Sequence, residues 1–243
     1  CSGMAAWGKA TADGGLTAGS SLDHAWGNWH SYMVLIVAYP ENGNAFMGPA
    51  IAGRLNDNFI INEKGIVNLG MKGSNDRPED VAYGFDGFVQ RPYVAITCDT
   101  VEENVEFIKN NSRSNGMLQI VVDENGGYLL EWTADPKMFS VRKFESETLP
   151  DYLAGANHFT NSQMKEAQVP WEKPDTSTWY RHQTLIKSIE DNWGKIDADK
   201  VMDIYSNTKY WDGKAWKTDS GLEGLAVNTQ RVAGSTMHAK VVT

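Results

Sequence analysis

The chain has 243 residues and a formal net charge of −9, with 31 acidic against 22 basic side chains. That balance leaves no cationic excess to neutralise phosphates and argues against a nucleic-acid partner. The longest uncharged apolar run, Tyr32 to Tyr39, is far too short to cross a bilayer as a helix, so no membrane partner is expected. No linker, repeat or low-complexity stretch divides the sequence, and residues 1–243 read as one domain large enough to bury a substantial core.

In chain order, the first two thirds read as strands joined by tight turns. Packing-type sequence begins at once with Met4-Ala5-Ala6-Trp7, and a turn follows at Ala12-Asp13-Gly14-Gly15. Further turn clusters stand at Glu41–Asn44, Asn62–Gly65 and Asp123–Gly127, where Gly and Asn supply the positive φ that hairpins need. Between them lie apolar or alternating runs at Tyr32–Tyr39, Phe59–Ile61, Ile66–Leu69, Met117–Val122 and Tyr128–Trp132. Asp99, with Glu102 three residues on, predicts a capped helix whose Val101, Val105 and Ile108 share a face. A longer helix is expected after Pro174-Asp175, running to Asn192 and ended by Gly194, with Leu185, Ile186, Ile189 and Trp193 inward. A third starts near Asp197 with Val201, Ile204 and Tyr205 inward, and Gly224 to Thr243 reads as two strands joined near Gly234. Predominant strands with helices in separate blocks predict an α+β layering, not the strict alternation of a parallel α/β fold.

The chemistry concentrates at the first residue. Cys1 carries a thiol and an α-amine, whose ordinary pKa values of about 8.5 and about 7.7–8.0 both lie near neutrality. The amine can therefore serve as general base for the thiol within one residue, where an internal cysteine needs a separate histidine. The same thiol can attack a peptide bond preceding it, so self-cleavage is one way to expose this end; a lipid-modified cysteine, exopeptidase trimming or an arbitrary boundary are others. Cys98, at the end of an apolar run, reads as a small buried hydrophobe and leaves no disulfide framework. The five histidines show no zinc spacing, and no G-x-S-x-G, P-loop or dinucleotide fingerprint occurs. His24 and His30, among Trp26 and Trp29, read as pocket-lining or capping residues, and Trp132 and Trp179 are further candidates to line an apolar acyl pocket.

The segment CSGMAAWGKATADGGLTAGSSLD resembles the start of the mature catalytic chain in N-terminal nucleophile hydrolases of the penicillin acyltransferase and choloylglycine hydrolase type. Asn62-Glu63-Lys64-Gly65, Gly155-Ala156-Asn157-His158-Phe159 and Tyr180-Arg181-His182 are similar to further motifs of that family, in the same order. The resemblance implies a four-layer α-β-β-α sandwich of two antiparallel sheets and cleavage or transfer at a linear amide through an acyl-thioester, without cofactor or metal. It makes Cys1 the nucleophile, Asp23 the carboxylate that holds its amine, Asn157 an oxyanion donor and Arg181 the cation that steadies the thiolate. Two departures stand out. Ser20 replaces an arginine frequent in the family, and the second oxyanion donor, near Gly70-Met71-Lys72 with Asn68 and Asn75 close by, is not assigned.

The implied partners are a small-molecule amide and an N-terminal segment or small chain released by processing, with a homo-oligomer also open. A lysosomal, periplasmic or secreted setting is favoured over the cytoplasm. Two other readings stay open: a cysteine dipeptidase using Asp23 or Glu131 to recognise a substrate amine, and a lipid-anchored binding protein acylated at Cys1.

Overall fold

The computed structural model describes residues 1–24, 29–73, 81–167, 176–219, 226–227 and 235–242. The N-terminal strand β1 (Ser2–Ala6) lies between β10 (Tyr152–Gly155) and β2 (Thr17–His24), with β13 (Ser235–Val242) beyond β2, all antiparallel. The second sheet has seven antiparallel strands in chain order. They are β3 (Met33–Ala38), β4 (Phe46–Ile51), β5 (Phe59–Asn62), β6 (Val67–Lys72), β7 (Met117–Asp123), β8 (Gly126–Trp132) and β9 (Phe139–Arg142).

Side-chain alternation along β1 stitches the layers together. Ala5 faces Leu69, Ile120 and Leu129 of the large sheet, while Met4 and Ala6 face the opposite way. There they meet Leu185 and Ile189 of α3 (Ser177–Asp191) and Val201, Ile204 and Tyr205 of α4 (Ala198–Ser206). On the far side of the large sheet, α1 (Gly87–Thr97) packs Ala95 on Phe46 and Ile60. Beside it, α2 (Val101–Asn110) packs Val101, Val105 and Ile108 on Val121 and Leu130. Helices, sheet, sheet, helices is the four-layer sandwich expected. It explains why Met117–Val122 reads as a continuous apolar run: both faces of β7 are covered. Close approach of the sheets needs Gly3, where a Cβ would stand 2.8 Å from Met71 Sδ.

Several local expectations shift. The cap of α2 is Thr100, whose side chain accepts from Glu103 N, while Glu103 in turn accepts from Asp99 N at 2.7 Å. The reciprocal pattern is present one residue later than Asp99–Glu102, because Thr100 holds the extended backbone at the boundary. Helix α1 was not foreseen; its apolar run is short enough to read as a strand, and Pro92 obscures the helical period. Asn62–Gly65 forms the expected turn, with Gly65 at φ +79° and Asn62 Oδ1 accepting from Lys64 N and Ile66 N. Of the two C-terminal strands expected, the second is β13, while the first and the joint near Gly234 lie outside the described residues, apart from a bend at 226–227. A short hairpin, β11 (Lys209–Trp211) with β12 (Trp216–Thr218), follows α4.

Candidate active site

The site forms where β1 begins, at the edge of the space between the sheets. Ser2–Ala6 is buried throughout, so the backbone of Cys1 is held by strand pairing on both sides. Tyr205, fully buried on α4, adds a hydrogen bond from its hydroxyl to Gly19 O at 2.8 Å and so pins β2 beside it. Burial pushes the Tyr205 phenol well above its ordinary pKa, which keeps it a donor.

Three elements converge on the α-amine and carbonyl of Cys1. Asp23, on β2, sets a carboxylate oxygen 3.1 Å from the amine. Asn157, just after β10, accepts from the same amine through Oδ1 at 2.9 Å. Arg181, on the first turns of α3, donates to Cys1 O and, at 2.7 Å, to Ser2 Oγ. Its other terminal nitrogen donates to Asn157 Oδ1 at 2.9 Å. With two cationic donors on Oδ1, the Asn157 amide is oriented with its NH2 the other way, donating to Lys72 O at 2.9 Å. The structure thus brings Cys1, Asp23, Asn157 and Arg181 into one hydrogen-bonded group, although 156 residues separate Cys1 from Asn157.

The turn carrying Asn157 is itself anchored. Thr178 Oγ1, on α3, accepts from Asn157 N at 2.8 Å and lies 2.8 Å from His158 Nδ1. Burial, with the nearby charges of His182 and Arg181, pushes the His158 pKa down to about 2, so the imidazole is neutral and one ring nitrogen can accept from Thr178. Glu131 secures the far side: its carboxylate accepts from Thr160 N at 2.8 Å and Asn161 N at 3.0 Å. Glu131 is 1% exposed and fully engaged inside the protein, which corrects its candidacy as a recognition group for a substrate amine.

A cavity of about 370 Å³ opens beside Cys1, lined by Leu22, Phe88 and Met117 among apolar residues and by Arg54, Lys72 and Arg91 among cationic ones. Trp132 is a core residue, 1% exposed against α2, and does not line it. Trp26 and the side chains of His24, Trp29 and His30 lie outside the described residues; Trp179 packs edge-on to Tyr180. Asn68 is buried in the large sheet, accepting from Asn104 and Gln119, and is not among the residues that line the cavity; Asn75 lies outside the described residues. Ser20 is buried opposite Gly3, on the face of β2 that carries Ala18 toward the large sheet, and the cations of the cavity come from the loop after β4, from β6 and from α1 instead. Sequence reasoning missed Arg91. The signal was its position as the lone charge in the α1 sequence GFVQRPYVAIT. Cys98 is buried at the end of α1, where burial pushes its thiol pKa up, as suits an inert packing residue.

This architecture has known counterparts. The chain superposes on an N-acylethanolamine-hydrolyzing acid amidase ortholog from Caenorhabditis elegans with a TM-score of 0.59, covering 97% of this chain and 99% of that one at 12% identity. A conjugated bile acid hydrolase variant from Clostridium perfringens matches with a TM-score of 0.55 over 83% and 77% of the two chains, at 15% identity. Penicillin V acylase from Agrobacterium tumefaciens gives 0.52 over 83% and 69%, at 13% identity. At these identities the likeness concerns the fold. In sequence, the chain is 28% identical over 224 residues to an uncharacterized protein of Archaeoglobus fulgidus, matching 84% of this chain and 36% of that protein. The chain thus spans little more than a third of the length of this curated relative. The family model described as acyl-coenzyme A:6-aminopenicillanic acid acyl-transferase matches residues 27–218, a stretch that contains Asn157 and Arg181 and starts after Cys1 and Asp23. With most of its length inside that match and the four-layer sandwich around it, the chain belongs to the penicillin acyltransferase family of N-terminal nucleophile hydrolases.

Proposed function

We propose that the chain is an amidase or acyltransferase for linear amides in which Cys1 is the nucleophile. The observation that carries this reading is the α-amine of Cys1 held between Asp23 and Asn157 at the mouth of a cavity. An amine so fixed has the geometry a general base needs toward the thiol of its own residue.

In the first half-reaction the Cys1 sulfur attacks the substrate carbonyl carbon, and the thiol proton passes to the α-amine. The carbonyl oxygen becomes an oxyanion, to which the Asn157 amide donates through the hydrogen not directed at Lys72 O. The C–N bond then breaks as the ammonium proton moves to the leaving nitrogen, giving a free amine and an acyl-thioester. Water, or an acceptor amine in a transfer reaction, adds to the thioester, the C–S bond breaks, and the thiol regains its proton. Asp23 and Arg181 are positioning residues: one fixes the amine, the other the Cys1 carbonyl and the Asn157 oxygen.

The test is an acid-quenched reaction with an N-acyl para-nitroanilide followed by intact-mass measurement. The expected result is an acyl adduct on Cys1 that hydroxylamine removes and that Cys1→Ala lacks. Release of nitroaniline by Cys1→Ala at the wild-type rate would overturn the reading.

A further inference from the structure

One wall of the cavity beside Cys1 is chemically incomplete. Arg91 reaches it from α1 and is 1% exposed. Its Nε donates to Asn56 Oδ1 and Asp57 O, both at 3.1 Å, and its Nη2 donates to Asp57 O at 2.8 Å. The remaining nitrogen, Nη1, is buried and has no hydrogen-bond partner among the described residues. A guanidinium cannot shed its charge at neutral pH, so a buried N–H left without an acceptor is costly and calls for an explanation. Burial does lower its pKa to about 10, with Asp86 and Asp57 opposing the shift, and the group remains cationic.

Two glycines let this nitrogen pack directly against the backbone of the cavity wall. A Cβ on Gly70 of β6 would stand 2.2 Å from Nη1, and one on Gly87 at the start of α1 would stand 2.8 Å from it. Both glycines line the same cavity as Arg91 and Cys1. Lys72 and Arg54 add positive charge along that lining. The two carboxylates there have other duties: Asp23 holds the Cys1 amine, and Asp86 caps α1 by accepting from Phe88 N at 2.8 Å and accepts from Asn115 at 3.3 Å.

We infer that the acyl half of the substrate ends in a carboxylate, and that Arg91 Nη1 receives it inside the cavity. The inference rests on the amide chemistry proposed above and adds the substrate class. The acyl half is assigned to this wall because it stays bonded to Cys1 after the amine has left, so it suits the fully buried side of the cavity. A charge-assisted bond to a buried guanidinium discriminates a carboxylate from a methyl group of the same length by roughly 10- to 100-fold.

The experiment compares kcat/KM for succinyl, glutaryl and adipyl para-nitroanilides with the length-matched butanoyl, pentanoyl and hexanoyl compounds. At least one carboxylated member is expected to be preferred by roughly 10- to 100-fold. That ratio should fall below about threefold in Arg91→Met, and also in Gly87→Ala, which keeps the arginine but places a Cβ 2.8 Å from Nη1 and so pushes the guanidinium out of position. If Arg91→Met does not fold, Gly87→Ala decides. A second arm needs no turnover: succinate, glutarate or adipate should protect Cys1 from iodoacetamide at concentrations roughly tenfold lower than the matching monocarboxylates. Absent turnover of all six anilides with protection intact would sink the amide reading and leave the carboxylate site standing. No preference at any length together with no differential protection, or a preference that survives Gly87→Ala, overturns the inference.

Discussion

Asn157 is the residue at which the geometry makes the sharpest separation between positioning and chemistry. Its Oδ1 accepts from the Cys1 amine at 2.9 Å and from Arg181 at 2.9 Å, while its NH2 donates to Lys72 O at 2.9 Å. Asn157→Ala removes all of these. Two of the lost bonds involve charged donors, each worth about 1.5–3 kcal/mol, so the variant is expected to lose several kcal/mol of stability as well as activity. Asn157→Asp keeps an oxygen facing the amine and Arg181 and removes the N–H donors. The new oxygen opposes Lys72 O, at a cost of about 1–3 kcal/mol, while the added negative charge is met by Arg181 and the Cys1 amine. The expected outcome is a melting temperature for Asn157→Asp closer to wild type than that of Asn157→Ala. Its kcat should nonetheless fall by roughly 100- to 1000-fold, the usual consequence of losing an oxyanion donor. Steady-state kinetics with a para-nitroanilide and a thermal melt of each variant read both quantities. If Asn157→Asp keeps more than about a third of the wild-type kcat, the amide N–H is not an oxyanion donor and Asn157 serves only to orient Cys1.

Further expectations follow from the same network. Cys1→Ala should abolish turnover, whereas Cys98→Ala, at a buried position at the end of α1, should cost about 1 kcal/mol of stability and leave kcat in place; equal activity loss in both contradicts the assignment. His158 is held neutral in the fold, so below the unfolded-state pKa of about 6.5 the unfolded chain gains a proton that the folded chain refuses, and stability falls by up to about 1.4 kcal/mol per pH unit. Urea midpoints should therefore drop between pH 7 and pH 5, and His158→Gln should flatten that slope; an unchanged slope refutes it. Thr100→Ala should lower stability by about 1 kcal/mol through loss of the α2 cap, an effect Asp99→Ala should not reproduce in the same measure.

What was legible in the sequence is what local chemistry determines. The turns at Asn62–Gly65 and Asp123–Gly127 announce themselves because only a few residues accept their backbone: Gly65 and Gly126 stand at φ +79° and +106°. The inward stripes of α2 and α4 follow from helical periodicity alone, as Val105, Ile108, Val201 and Ile204 bear out. Helix α1 was illegible because its period is confused by Pro92 and by burial of two polar residues, Gln90 and Arg91, on the face a periodicity argument would make apolar. Arg91 is buried by contacts with Asn56, Asp57 and Gly70, which no local pattern encodes.

The candidate site divides along the same line. Cys1 is conspicuous because it combines two reactive groups, and Asn157 and Arg181 could be singled out through resemblance to family motifs. Nothing local joins them. Their meeting depends on β1 pairing with β10, in the register Gly3 opposite Gly155, which sets Asn157 beside the chain start, and on α3 packing over that pair so that Arg181 reaches Cys1 O. Arg91 carried no motif at all. Its significance comes from an unpaired nitrogen and two missing Cβ atoms, a relation among β6, α1 and the cavity. Nucleophile chemistry can therefore be read from residue type, whereas the wall that selects a substrate exists only after the layers have packed. For that reason Gly70 and Gly87, which bear no functional group, matter to the proposed specificity as much as the arginine whose nitrogen packs against them.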